Sequence, residues 1–418
     1  MFLSACLLVV LPAADSRSTI TSVAASADGK LLFVASAAGR APAGSGWVHV
    51  WDLSKPELRA EIPDLGADGR AVQPSADGKR FVLIGGDNWR VSRVEVWDTA
   101  AKKRLRVFEV PPGIVGQAVA SPDGNWVAYR AFREGKETVR VWNAENGEPA
   151  AVATAVAGVP GPLAFTPDSK RLIVAAPGAY TEFDLATGKT AAEWKREVPA
   201  DRVFVEDRHG AWLAAAPGGK GVVSVAATAK RRQSYVIRLV TEKKDWFLGE
   251  MWDYASHPAV SPDGRWLALS GGGYKEHGTF LLRLDADGNP ELEDKPEKFR
   301  QPFGGGDGKK VPAWRDWAVG EADRAGHELP GAIGFSADGR RVFVAASRER
   351  IQVWDPEKRE LKATLSAATT APAKDKLPDW LIHTPAGEFV GSPAGEKAFA
   401  RPGTDPNPAK VKEALTGK

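Results

Sequence analysis

Catalysis and metal binding need nucleophiles, bases or ligands brought together, and this chain of 418 residues offers few of them. Its six histidines, His49, His209, His257, His277, His327 and His383, lack the close spacing that puts two ligands on one element, which leaves only a site assembled from distant loops. Cys6 is the sole cysteine, so neither a disulfide nor paired-thiol chemistry is expected. Asp285, Asp287, Asn289, Glu291 and Glu293 alternate in the manner of a calcium loop. However, the sixth position is Pro290 where the loop needs glycine, and the twelfth is Pro296 where it needs glutamate. A polar hairpin turn built on Asp287-Gly288 accounts for the run better. The chain has no G-x-S-x-G elbow, H-E-x-x-H, C-x-x-C or G-x-x-x-x-G-K-[ST] loop. The expectation is a protein with no cofactor, no metal and no enzymatic role.

What the sequence does offer is aromatic and basic residues in long polar stretches. Trp89, Arg133, Lys136, Trp246, Trp252, Lys275, His277, Arg348 and Arg350 are the candidates for a partner-binding face. They would form a basic, aromatic rim suited to an acidic partner, a glycan or a small anion. The competing reading is plainer: loop aromatics pack over the ends of strands, and the charges are simply solvated. A net charge of +3 is small for this length and predicts no general attraction to nucleic acid.

The elements that would carry these loops are short strands in repeats. From Ile333 to Asp355 runs an apolar segment, the turn Ser336-Ala337-Asp338-Gly339, a second apolar segment, and Ile351-Gln352-Val353-Trp354-Asp355. Val342 and Val344, like Ile351 and Val353, alternate with residues that would face the other way, as a strand requires. The aspartate of this turn recurs at 28, 77, 123, 263 and 338, with Asp168-Ser169 and His209-Gly210 as worn copies. Its first four occurrences are about 45 to 49 residues apart, the period of a four-stranded propeller blade. Every copy except His209-Gly210 is followed by a strand end: Trp51-Asp52, Trp97-Asp98, Trp142-Asn143, Phe183-Asp184, Leu284-Asp285 and Trp354-Asp355.

With the Ser-Pro-Asp-Gly turns at Ser121 to Gly124 and Ser261 to Gly264, these features make residues 19 to 365 resemble the WD40-repeat family. The resemblance implies an all-β β-propeller, most simply of seven blades of four antiparallel strands. It departs from the family in lacking the Gly-His that opens many repeats and most aspartates of the structural tetrad, so irregular blades held by apolar packing are expected. The 43 glycines, 30 prolines and 15 tryptophans suit short strands, tight turns and aromatic packing between sheets. Blade five is the most degenerate, with strands expected at Arg202 to Glu206, Ala211 to Ala216, Val222 to Ala227 and Ser234 to Val240. Thr241 to His257 and Glu291 to Pro330 read as long links between blades.

Both ends of the chain differ from the repeats. Residues 1–18 begin with an apolar run of signal-peptide length but lack a basic leader and a clean cleavage site. They read as an abbreviated signal, as the result of a start placed too late, or as a strand closing the ring. Export to the periplasm or cell surface is expected, with the cytoplasm not excluded. The run is too short to span a bilayer. Residues 19–366 form the propeller and 367–418 an extension with a hairpin at Asp379 to Pro393 and a short helix over Val411 to Leu415. The extension resembles a segment that follows the propeller in some bacterial WD40 proteins, where a caspase-like peptidase is joined to the same chain. No counterpart of that peptidase's catalytic residues is present, so no activity carries over. The rival arrangement is an eighth partial blade completed by the N-terminal run. The functional expectation is a protein-interaction scaffold using the long-loop face, the alternatives being a ligand-binding propeller or, less favoured, a hydrolase or lyase centred on the channel.

Overall fold

The computed structural model describes residues 18–38, 46–62, 68–86, 93–109, 118–133, 136–150, 162–176, 179–195, 212–216, 221–227, 234–241, 244–252, 254–255, 258–273, 276–294, 310–313, 315–317, 332–347, 350–368, 377–399 and 403–417. They form a ring of antiparallel sheets, a β-propeller. The expectation of seven four-stranded blades is corrected: among the described residues six sheets reach four strands, not seven. Blade one spans residues 18–62, blade two 68–109, blade three 163–195, blade four 212–252, blade five 254–317, and blade six begins at residue 333. Between blades two and three lies a sheet with three strands among the described residues, Ala118–Ala120, Trp126–Arg133 and Lys136–Asn143. Where its fourth strand should start, the chain makes one isolated bridge, Trp142 to Pro149. Ala150 N–H donates to the Val141 carbonyl at 2.8 Å, and residues 151–161 lie outside the described residues.

Local sequence explains the regular parts. In the first turns that carry an aspartate, it accepts from the preceding Ser or Thr hydroxyl and from the backbone N–H two residues on, as Asp77 does from Ser75 (2.8 Å) and Lys79 (3.1 Å). The glycine beside it takes a positive φ, 66° at Gly78 and 69° at Gly124, as the reversal requires. Third and fourth strands share a β-bulge at the Trp-Asp position in blades one, two, three, four and six. Its extra residue is Arg59, Leu105, Ala191, Leu248 and Lys362 in turn. A bulge at this place twists the outer edge of each sheet.

Two stretches read as links are in fact strands. Asp245–Trp252 is the fourth strand of blade four, whose first three are Trp212–Ala215, Gly221–Ala227 and Ser234–Thr241. The strand expected at Arg202 to Glu206 lies outside the described residues. The stretch 291–330 supplies Arg315–Trp317 as the outer strand of blade five, and Leu292–Asp294 with Lys310–Pro312 as a separate two-stranded ribbon. In both cases tertiary pairing overrides a sequence without clear period-2 alternation.

Apolar side chains fill the spaces between neighbouring sheets, for example Phe33, Val48 and Val50 of blade one against Val72, Phe81 and Leu83 of blade two. Burying such surface, at roughly 25 cal/mol per Å², is the main stabilising contribution. The ring closes where blade six meets blade one, with Val23, Leu32 and Trp51 packed among Phe343, Ile351, Val353 and Ile382. The indoles of Trp51 and Trp380 meet edge to face, their centroids 6.0 Å apart. A Cβ on Gly334 would lie 2.6 Å from the carbonyl oxygen of Val23, so this contact requires glycine. No strand is exchanged across the seam among the described residues.

The C-terminal hairpin exists, but not as a separate docked unit, and no eighth blade forms from it. Trp380–His383 pairs with the outer strand of blade six, Glu360–Ala367, matching Thr364 with His383 and Leu365 with Ile382. Glu388–Gly391 and Asp405–Pro406 follow, making one sheet of seven strands. Two helices complete the tail, α1 (Pro393–Phe399) and α2 (Pro408–Thr416). The Asn407 side chain caps the start of α2, accepting from Lys410 N–H. Gly417 ends the helix at φ 71°, and Val411 and Leu415 bury its apolar side in the seam.

Candidate functional site

In an up-and-down sheet the second turn and the blade-to-blade link share one end of the ring, while the first and third turns share the other. Strand register places several predicted residues at the first of these ends. Arg133 pairs with Lys136 at the tip of the three-stranded sheet. His277 pairs with Gly272 in blade five, and Arg350 with Ser347 in blade six. Trp252 pairs with Ser234 at the same end of blade four. Trp89, Lys275 and Arg348 lie outside the described residues.

Trp246 does not belong with them. It pairs with Leu239 beside the third turn of blade four, six residues along the strand from Trp252. At about 3.3 Å per residue the two tryptophans are roughly 20 Å apart, at opposite ends of the ring. The Trp246 ring packs against the core between blades four and five, and the Lys244 ammonium sits 3.3 Å from its centroid. A half-buried ring already carrying a cation is not a free stacking platform.

The opposite, short-turn end was not singled out by sequence, yet its side-chain geometry is the better defined. The first turns of adjacent sheets touch: Asp123 N–H donates to the Ser169 hydroxyl at 3.1 Å, and Gln73 Nε2 to the Pro122 carbonyl at 3.1 Å. A Cβ on Gly124 would lie 2.8 Å from the Ser75 backbone. The carboxylates of Asp28, Asp77, Asp168 and Asp263 are held acidic. The Lys79 backbone N–H and the Ser75 hydroxyl lower Asp77, and at Asp263 the Ser261 hydroxyl and Arg265 outweigh the upward push of burial. Where blades five and six meet α2, a cleft of about 700 Å³ is lined by Arg265, Arg340, Arg341, Lys358, Lys410 and Glu413 among others. The Ser-x-Asp-Gly repeats build this end, and their carboxylates are taken up by their own turns.

Buried polar pairs occupy the middle strands. His49 Nε2 lies 2.8 Å from Glu61 Oε2, the two residues being 2% and 7% exposed, with Trp47 stacked on the imidazole. Although a His–Glu couple is the composition of an acid–base pair, this one is walled off from solvent and serves as a tie between the third and fourth strands of blade one. Glu95 accepts from Trp97 Nε1 at 2.9 Å and from Arg104 at 3.0 Å. Arg171 reaches Glu182 in the same way at 2.9 Å. The run at Asp285 is a turn: Asp285 Oδ1 accepts from the N–H groups of Asp287 and Asn289. Among the described residues no three His, Cys, Asp or Glu side chains converge on a metal position. No helix among them is long and apolar enough to cross a membrane.

No protein-family model and no curated protein sequence matches the chain. Solved structures do. A chain of Kuenenia stuttgartiensis hydrazine synthase is similar over 83% of this chain and 97% of its own, with a TM-score of 0.52 and 15% identity. The β-propeller domain of Myceliophteria thermophila Cps50 (Swd1) is similar over the same shares, with a TM-score of 0.50 and 13% identity. At these identities the likeness is one of fold. It also corrects the expectation that the chain has no enzymatic role. A chain of similar fold belongs to a synthase, so a propeller is no ground for excluding catalysis.

Proposed function

We propose that the chain is a WD40-type protein-interaction scaffold whose partner sits on the long-loop end of the ring. The supporting observation is the register that brings the backbones of Arg133, Lys136, Trp252, His277 and Arg350 to that one end from four different sheets. A rigid ring holding loops at one rim is the arrangement in which binding residues are commonly placed. The WD40 assignment draws on the repeated Val-x-Val-Trp-Asp strands and on the likeness to the Swd1 propeller.

Affinity capture from the native cell tests this reading, comparing the wild type with an Arg133→Ala, Lys136→Ala, Trp252→Ala, Arg350→Ala variant of unchanged thermal midpoint. The expected result is a protein held by the wild type and lost by the variant. Equal retention by both moves the partner surface elsewhere. Capture of a glycan or small anion alone favours the ligand-binding alternative. Export belongs to the same proposal, and cell fractionation checks it.

A further inference from the structure

A second surface, on the rim rather than the end of the ring, carries its own case. The strand Lys103–Glu109 pairs on one side with Arg93–Asp98 and on the other with nothing among the described residues. It also bears Leu105 and Val107, which with Leu377 are the large apolar side chains left exposed among those residues, at 51% and 38%. Leu105 is the bulge residue of its blade. At the same place blades one and six carry Arg59 and Lys362, blade three carries the small Ala191, and blade four buries Leu248. At the bulge itself blade two presents an exposed apolar side chain, with its charges at Lys103, Arg104 and Arg106 on either side.

The chain itself shows what such an edge accepts. In blade six the strand Trp380–His383 adds to the outer edge, and its ladder ends at Thr364, two residues past the bulge residue Lys362. Val107 stands two residues past Leu105 in the corresponding strand. We propose that the free edge of Lys103–Glu109 docks an extended peptide of alternating apolar and acidic residues, which adds to it as a further strand.

The alternation follows from the side chains. Val107 lies on one face of the strand with Leu105 at the bulge. Arg106 and Phe108 lie on the other, where Phe108 meets Trp142 and Arg106 donates to the backbone carbonyl of Glu145 at 3.0 Å. An added strand would therefore set apolar residues beside Val107 and carboxylates beside the Arg106 guanidinium, whose described partner is uncharged. Lys103 adds to the positive character of the edge. A second copy of this strand fits less well, because antiparallel pairing of Lys103 with Glu109 would set Arg106 directly opposite Arg106. Main-chain pairing would supply affinity, and the alternate side chains selectivity.

The test uses a fluorescein-labelled peptide of about ten residues alternating valine and glutamate, and a control with lysine for glutamate, titrated by anisotropy. The wild type is expected to bind the glutamate peptide saturably and the lysine peptide not at all. A Leu105→Lys, Val107→Lys variant, both changes being at exposed positions, should keep its thermal midpoint and raise the Kd about tenfold or more. Arg106→Gln should weaken binding of the glutamate peptide as well. Absence of saturable binding, equal binding by the double variant, or self-association of the wild type through this strand would each overturn the proposal. Since the long-loop residues take no part, these outcomes are independent of the scaffold reading.

Discussion

Arg341 Nε donates to the carbonyl oxygen of Ala414 at 2.8 Å, fastening the last turn of α2 to the first turn of blade six. The last carbonyls of a helix lack intrahelical partners, and a cation there also meets the negative end of the helix dipole. The guanidinium is nearly buried. Its Nη1 donates to Arg340 O at 2.9 Å and lies 3.4 Å from Asp355 Oδ2, while its Nη2 would be 2.9 Å from a Cβ on Gly417. Arg341→Met keeps the apolar stem and removes these bonds. The expected cost is about 1–3 kcal/mol in urea unfolding, with earlier proteolytic cleavage of the tail. Unchanged cleavage would mean that Val411 and Leu415 alone hold the helix.

Two glycines with positive φ should differ in what an alanine costs. Gly124 sits at 69° with the Ser75 backbone 2.8 Å from any Cβ, whereas Gly288 sits at 76° with nothing within 4 Å. Gly288→Ala should cost about 1 kcal/mol for backbone strain alone. Gly124→Ala must also push neighbouring turns apart and should cost about 2–3 kcal/mol or more. Chemical denaturation of both variants decides it, and equal midpoints would show that the ring of turns is compliant.

Stability should fall in two stages as the solution is acidified. Burial between the tail strand and blade six lowers the pKa of His383, against a smaller opposing effect of a backbone hydrogen bond at Thr384. The unfolded chain therefore takes up that proton first. Stability is lost as pH drops from the ordinary histidine value near 6.5 toward the lowered folded value. The turn aspartates Asp28, Asp77, Asp168 and Asp263 are also lowered, Asp77 by Lys79 N–H and Ser75, so their contribution is present above about pH 4 and lost as pH falls through the folded values. Urea midpoints at pH 7.5, 5.5 and 3.5 should decline in that order. His383→Asn should flatten the first step and leave the second; if the first step persists in that variant, another group carries it.

Glu95 is 2% exposed and is the shared acceptor for Trp97, Arg104 and Arg93. Glu95→Ala should destabilise blade two by about 1–3 kcal/mol, moderated because Arg104 is nearly half exposed and regains water. Glu95→Gln keeps an acceptor for the indole and should recover part of the loss. Unfolding monitored by tryptophan fluorescence separates the two.

The repeat was legible because its signals are local. Ser-x-Asp-Gly turns and Val-x-Val-Trp-Asp strands declare themselves within a few residues, and the ladders follow them. What failed depended on partners far away. Asp245–Trp252 reads as an aromatic link until Ser234–Thr241 is beside it, and that strand carries Trp246 to the wrong end of the ring. Arg341 carried no sequence signal at all, since its partner lies 73 residues away in α2. Of the residues read as a partner face, Arg133, Lys136, Trp252, His277 and Arg350 lie at the second-turn end of their sheets by backbone register, which gives their position and not a role.

The seam between blades six and one sets an order of events. Every ladder of the ring lies within a single sheet, so each can zip from residues near in sequence and be paid for as it forms. Val23 and Gly334 meet only after almost the whole chain between them has been gathered in. Among the described residues no backbone hydrogen bond spans the join, so side-chain packing there must offset the entropy of closing that loop. Closure is accordingly expected as the last step of folding, and reopening of the join as the first step of unfolding. Amide exchange should therefore report the edges of the join loosening while the interiors of the individual sheets remain protected.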